Sequence, residues 1–204
     1  HRVKFDLFKR FGYIAAAGDR HLAEFCPGDW YLKNPETVRE WMFGLTSVEW
    51  RKNDLRERLA RSARLINGEE SFDLNPTGED GVKQIKAILG LGDIVTNVNM
   101  PNIGQIPNLP LGAVVETNAY FTSDTVVPVS AGNVPLSIYP LISRICGEQQ
   151  LIVKAALEKD LYIAFQAFTC DPLVRLSLSD AKRLFNEMLE NTKEYLGGYS
   201  IPLR

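Results

Sequence analysis

Between residues 93 and 129 the sequence changes character, and that change limits the folds open to it. Asp93-Ile94-Val95-Thr96-Asn97-Val98-Asn99 alternates and is rich in β-branched side chains, the pattern of a strand. Ala113 to Thr122 reads as a second strand and Thr125 to Val129 as a third, with Gly112 and Ser123-Asp124 as punctuation. Neighbouring strands joined by short loops predict an antiparallel sheet, because parallel neighbours need a crossover of a dozen residues or more. Helical spacing occupies the rest of the chain. A small sheet surrounded by helices is an α+β fold. No Gly-x-Gly-x-x-Gly follows a strand, so no dinucleotide-binding fold is expected within these residues.

The helical segments can be placed one by one. Val3, Leu7, Phe8 and Phe11 fall on one face of a helix over 2–11, which Gly12 stops. Asn34-Pro35 pairs an N-cap with a proline at the first helical position, and the helix it opens is expected to run through Val38, Trp41, Met42 and Leu45. A charged helix over 48–66 carries Leu55, Leu59, Ala63 and Ile66 as a narrow apolar seam under a solvated face. Further helices are expected over 79–89, 138–158, 160–169 and 180–196, the last with Ser179 as N-cap.

Composition excludes several function classes. The 204 residues carry a formal charge of −2, which leaves no electrostatic footprint for nucleic acid. No apolar run approaches the roughly 20 residues of a membrane helix, so no membrane partner is expected. The three cysteines, Cys26, Cys146 and Cys170, are sparse and odd in number. That argues for a reducing, cytoplasmic setting and against disulfides or a zinc site. Cys146 and Cys170 sit in apolar helical surroundings and are expected to be buried, whereas Cys26 adjoins polar residues and is expected nearer the surface. His1 and His21 are the only histidines, too few for a self-contained metal centre, so no metal ligand is assigned. The chain opens on His1 in mid-helix rather than on methionine, which reads as part of a longer protein.

Two constellations could carry chemistry. Gly18-Asp19-Arg20-His21-Leu22-Ala23-Glu24-Phe25 gathers two carboxylates, an arginine and a histidine. An aspartate beside an arginine stays ionised near neutral pH and can act as a base; the same residues could also form a polar helix start capped by Asp19. The second runs from Asn97 to Pro110, with Asn97, Asn99, Asn102 and Asn108 among three prolines and Gly104. Rigid turns that hold amides suit hydroxyl-rich ligands, since each amide both donates and accepts. Equally, such amides can cap their own loop.

Together these strings resemble glycoside hydrolase family 4, the NAD- and manganese-dependent glycosidases. The resemblance runs from Phe11-Gly12-Tyr13 through His21-Leu22-Ala23-Glu24-Phe25 and resumes at Asn102-Ile103-Gly104-Gln105-Ile106-Pro107-Asn108-Leu109-Pro110. It continues through Ala113-Val114-Val115-Glu116, Ala164-Phe165-Gln166-Ala167-Phe168 and Asp171-Pro172-Leu173 to Leu184-Phe185-Asn186-Glu187-Met188-Leu189. The Gly-Asp-Arg-His-Leu-Ala-Glu-Phe string is most similar to the α-galacturonidase branch.

The resemblance implies that residues 1–204 are a C-terminal domain similar to that of lactate and malate dehydrogenases. Its role would be substrate binding and oligomerisation, downstream of a Rossmann domain that carries the NAD loop and the manganese ligands. It implies hydrolysis of an α-linked sugar or uronide by oxidation at C3, proton removal at C2 and elimination. Asp19 matches the position of the base, and His21 and Glu24 match positions that line the sugar pocket. Asn102 and Asn108 match the loop that approaches sugar and nicotinamide. Arg20, whose fork suits a carboxylate, is a candidate for pairing with a uronate. A homo-oligomer is expected, and the chain by itself should be inactive and prone to associate. An α-glucosidase or α-galactosidase of the same family, a dehydrogenase-type substrate domain and a non-catalytic carbohydrate-binding module are the alternatives.

Overall fold

The computed structural model describes residues 1–75 and 77–203. In chain order its elements are α1 (Arg2–Phe11), α2 (Asp19–Phe25), α3 (Pro35–Glu40), α4 (Val48–Ile66), α5 (Gly81–Ile88), β1 (Ile94–Pro101), β2 (Val114–Thr122), β3 (Thr125–Pro128), α6 (Tyr139–Glu158), α7 (Leu161–Cys170) and α8 (Leu178–Thr192), with a 3₁₀ turn over Lys193–Tyr195. This is the α+β class expected. The strands lie in the order β1-β2-β3. β2 and β3 are antiparallel, with Ala119 opposite Pro128 and Thr122 opposite Thr125.

The chain forms two compact units, interleaved in sequence. The larger holds His1–Phe43, Asn99–Thr117 and Ser130 onward; the smaller holds Gly44–Val98 and Asn118–Val129. The larger unit has two apolar cores. In the first, Val3 and Leu7 of α1 meet Leu22 and Ala23 of α2, with Cys26 and Tyr31. The left-handed φ of 79° at Gly12 ends α1, and its N–H closes onto the Phe8 carbonyl. In the second core, Leu161 of α7 packs with Phe185 and Leu189 of α8 and with Leu203. The Phe165 and Phe168 rings each lie 5.4 Å from that of Phe185.

Among the described residues of the smaller unit the fully buried side chains are few: Ala87, Ala119 and Phe121. Polar contacts tie it together. Asp80 accepts from Lys83 and from the Thr96 hydroxyl, both at 2.8 Å. Glu70 accepts from Arg61 at 2.6 Å and from Arg64 at 3.1 Å.

Several boundaries differ from expectation, each for a local reason. α3 stops at Glu40 instead of running to Leu45, because Met42 takes a left-handed φ of 56° and breaks the ladder. α5 begins at Gly81 rather than 79. α8 begins at Leu178, and its cap is Ser177, not Ser179: the Ser177 hydroxyl accepts from Asp180 N. The cysteines also differ. Cys26 is buried in the first core and Cys170 is exposed. Cys170 lies nine residues beyond Leu161, which at roughly 100° per residue puts it on the helix face opposite that core residue.

Candidate active site

α2 carries the first constellation. Asp19 is its first helical residue. The Asp19 carboxylate reaches across to α1, where it accepts from Val3 N at 3.3 Å and Lys4 N at 3.2 Å. Those are two of the amides that a helix start leaves without intrahelical partners. Nδ1 of His1 lies 3.6 Å from the same carboxylate. Asp19 therefore locks α1 to α2 as well as standing at the head of the polar string. One turn on, Nδ1 of the exposed His21 lies 3.2 Å from Glu24. Arg20, between Asp19 and His21 in sequence, is half-buried.

The second constellation proves to be an organised loop. Asn102 is 1% exposed. Its Nδ2 donates to the carbonyls of Ile106 (2.9 Å), Leu109 (3.0 Å) and Pro110 (3.2 Å). Its Oδ1 accepts from Gly104 N (3.2 Å) and Ile106 N (3.1 Å). Gly104 takes a φ of 123°, which explains the Asn-x-Gly spacing: the turn that presents its N–H to Asn102 is closed to other residues. Asn108 is bound in the same manner, donating to Val134 O (2.9 Å) and accepting from Val134 N (2.8 Å). Both amides are committed to backbone. They set the shape of the loop, so any ligand contact must come from the groups that the loop presents.

α2 and this loop meet at one cleft. It has a volume of about 550 Å³, and Leu22, Phe25 and Cys26 line it from α2 while Ile106 and Leu109 line it from the loop. Tyr13, Glu116 of β2 and Gln149 of α6 add polar groups to otherwise apolar walls. Asp19, Arg20, His21, Glu24, Asn102 and Asn108 do not line it themselves; they border it in sequence. Glu116 and Gln149 went unrecognised in the sequence. Glu116 had a signal, because β2 alternates buried and exposed residues from Val114 onward; Gln149 had none. Burial pushes the Cys26 thiol up to about 11, so it is a poor nucleophile despite its place in the wall.

A larger cleft of about 990 Å³ opens over the second core, lined by residues that include Leu161, Phe168 and Phe185, with Asp29 and Arg175 paired at its edge. Burial first, and then Asp171, raises the pKa of the Glu148 carboxyl on its wall, with Arg144 opposing. None of Asp19, Arg20, His21, Glu24, Asn102 and Asn108 lies there, although Phe168, Asp171 and Phe185 of the strings that resemble family 4 do.

Residues 1–174 match the family 4 glycosyl hydrolase C-terminal domain, and the chain belongs to that family. Among its curated relatives is an alpha-galacturonidase of Thermoanaerobacterium saccharolyticum, 64% identical over 200 residues, which cover 98% of this chain and 43% of that protein. The crystal structure of lplD from Bacillus subtilis superposes with a TM-score of 0.85 at 50% identity, covering 93% of this chain and 43% of that one. A 6-phospho-alpha-glucosidase from gut microorganisms, solved with NAD and glucose-6-phosphate, gives a TM-score of 0.65 at 28% identity over 84% of this chain and 40% of that one. The chain thus spans less than half the length of these relatives.

The residues in hand do not fit a metal ion. No group of three or more His, Cys, Asp and Glu among the described residues could hold one, and no strand leads through a glycine-rich turn into a helix as a dinucleotide would require.

Proposed function

We propose that this chain is the C-terminal, substrate-binding part of an α-galacturonidase. The observation that carries the reading is the 64% identity to a curated enzyme of that name across 98% of the chain. NAD and Mn²⁺ supply hydride exchange at C3 and Lewis acidity in the family scheme. They would be held by an N-terminal Rossmann part, because nothing among the described residues fits them. What this chain contributes is placement and a proton acceptor. Asp19 takes the C2 proton on a carboxylate oxygen, its orientation fixed by the two α1 amides. Arg20 pairs with the uronate, and His21 and Glu24, linked to each other, bind sugar hydroxyls. Asn102 and Asn108 act through the loop that they shape around sugar and nicotinamide. The protein works in the cytoplasm as a homo-oligomer.

The test uses the full-length polypeptide with NAD, Mn²⁺ and a panel of α-galacturonide, α-glucoside and α-galactoside. Preference for the uronide is expected; equal turnover of the neutral sugars would refute the assignment and favour an α-glucosidase or α-galactosidase. Net NADH production would instead favour a dehydrogenase. Asp19→Asn should lower turnover about 10²–10⁴-fold and enlarge the isotope effect of C2-deuterated substrate. Near-normal turnover would make Asp19 a cap alone and move the base to Tyr13 or Glu24.

A further inference from the structure

The outer side of α1 carries a set of groups that the proposed reaction does not use. Arg2, Phe5, Asp6 and Lys9 follow the i, i+3, i+4, i+7 spacing of one helix face, turned away from the buried Val3 and Leu7. Arg2 donates from Nη1 to the Glu40 carbonyl at 3.2 Å, which ties the end of α3, and Trp41 just beyond it, to that face. Two compartments of about 380 and 290 Å³ open there. They adjoin, because Asp6 and Trp41 line both; Arg10, Trp30 and Tyr31 complete the smaller one. None of these residues lines the cleft between α2 and the asparagine loop.

The groove has a fixed aromatic frame. Tyr31 is buried, and its hydroxyl donates to Asp6 Oδ2 at 2.7 Å. Its ring meets those of Trp30 and Trp41 edge-on, at interplanar angles of 83° and 90°. Trp30 stacks on Phe11, with centroids 6.1 Å apart, and is still 40% exposed. Arg10 binds the same Asp6 oxygen through Nε at 2.7 Å. Both bonds fall on Oδ2, so Oδ1 can accept from a ligand. The Arg10 side chain is 62% exposed, and its terminal nitrogens can fork a carboxylate. A rigid frame with a few aimed polar groups is the build of a small-ligand site.

Those groups select one chemistry. An exposed indole face receives the C–H face of a pyranose ring, Asp6 Oδ1 receives a hydroxyl hydrogen, and Arg2, Lys9 and Arg10 receive carboxylates. Three cations against one carboxylate along the groove favour an acidic sugar over a neutral one. Two compartments suit two linked rings better than one. We infer that this groove is an accessory binding site for a uronate oligosaccharide, separate from the cleft in which the glycosidic bond is broken. The choice of a uronate rests in part on the α-galacturonide reading, and the groove is read by binding rather than by turnover.

The experiment is titration calorimetry of the full-length polypeptide with trigalacturonate, NAD being withheld so that the probe is not consumed. Neutral trigalactose is the comparison. The wild type should bind the acidic trisaccharide at least about tenfold more tightly than the neutral one. Arg10→Lys keeps a charge beside Asp6 but loses the fork, and Lys9→Glu reverses the second cation. Together they should weaken trigalacturonate binding at least about tenfold, the worth of one charge-assisted hydrogen bond. Turnover of a monomeric α-galacturonide with NAD and Mn²⁺ should stay within about twofold of wild type. Should the pair disturb folding by far-UV circular dichroism, Lys9→Glu alone, at an exposed site, should still weaken binding severalfold. A wild type that does not bind trigalacturonate, equal binding of the neutral trisaccharide, or unchanged binding in the variants would overturn the inference. So would a parallel loss of monomer turnover, which would put these residues in the catalytic cleft. An enzyme that prefers neutral glycosides refutes the substrate assignment alone, because the groove is scored by the binding of the probe.

Discussion

Replacing Asn102 by alanine tests whether this asparagine builds the loop. The side chain has two hydrogens and two acceptor lone pairs, and five backbone groups compete for them. A well-formed hydrogen bond contributes about 1 kcal/mol net, and a buried group left without a partner costs about 1–3 kcal/mol. The neighbouring Ile103 is 71% exposed, so water can reach part of the loop and replace some of the loss. A cost of about 3 kcal/mol follows, against a whole-domain stability of about 5–15 kcal/mol. At 1.4 kcal/mol per decade, hydrogen exchange at Gly104 and Ile106 should quicken about 10²-fold in the full-length variant. Asn102→Asp should be no better at neutral pH, because it sets a carboxylate against three carbonyls. Those carbonyls would raise its folded pKa, so the stability it restores is present when protonated and lost as pH rises through that value. Exchange within threefold of wild type in Asn102→Ala would refute the reasoning and return Asn102 to the candidates for direct ligand contact.

Further expectations follow from other contacts. Asp6 accepts from Arg10 Nε and from the Tyr31 hydroxyl, each at 2.7 Å, and the Arg10 hydrogen bond is the largest influence holding its pKa below 3.8. Its contribution to stability is therefore present above the ordinary carboxylate range and lost as pH falls through the depressed value, so Asp6→Asn should flatten the acid limb of a denaturation series below about pH 4. Ser177→Ala should cost about 1 kcal/mol by loss of the α8 cap, and Ser179→Ala much less; equal costs by urea denaturation would restore Ser179 as the cap. In alkylation followed by peptide mapping, Cys170 should react well before Cys26, because burial keeps the latter thiol protonated.

Local signals are legible in the sequence, and directional ones are not. α1, α4 and the strand core of β2 lie where periodicity and caps placed them, since those signals depend on a few adjacent residues. The end of α3 depended on one backbone angle at Met42, which side-chain pattern does not reveal. The burial of the cysteines is not legible, because it depends on which way a helix faces, and Cys170 shares its apolar neighbours in sequence but not in space. For the site, both constellations were visible as strings. The sequence leaves open whether the asparagines serve a ligand or their own loop; for Asn102 five backbone contacts within the loop decide it, and for Asn108 the pairing with Val134, 26 residues away. Glu116 and Gln149 belong to different elements and become neighbours only through folding.

The threading of the two units has a consequence for how the protein is made. The chain passes between them four times, at 43/44, 98/99, 117/118 and 129/130. During synthesis the core around Val3 and Leu22 needs nothing beyond Phe43, so it can close early. The core around Phe185 waits for Leu203. α4 emerges between these events, and at about 5–20 residues per second its C-terminus precedes the end of α8 by roughly 6–25 s. The first core therefore has to hold by its own contacts for the roughly 8–30 s that synthesis takes from Phe43 to Leu203, before the second core can form.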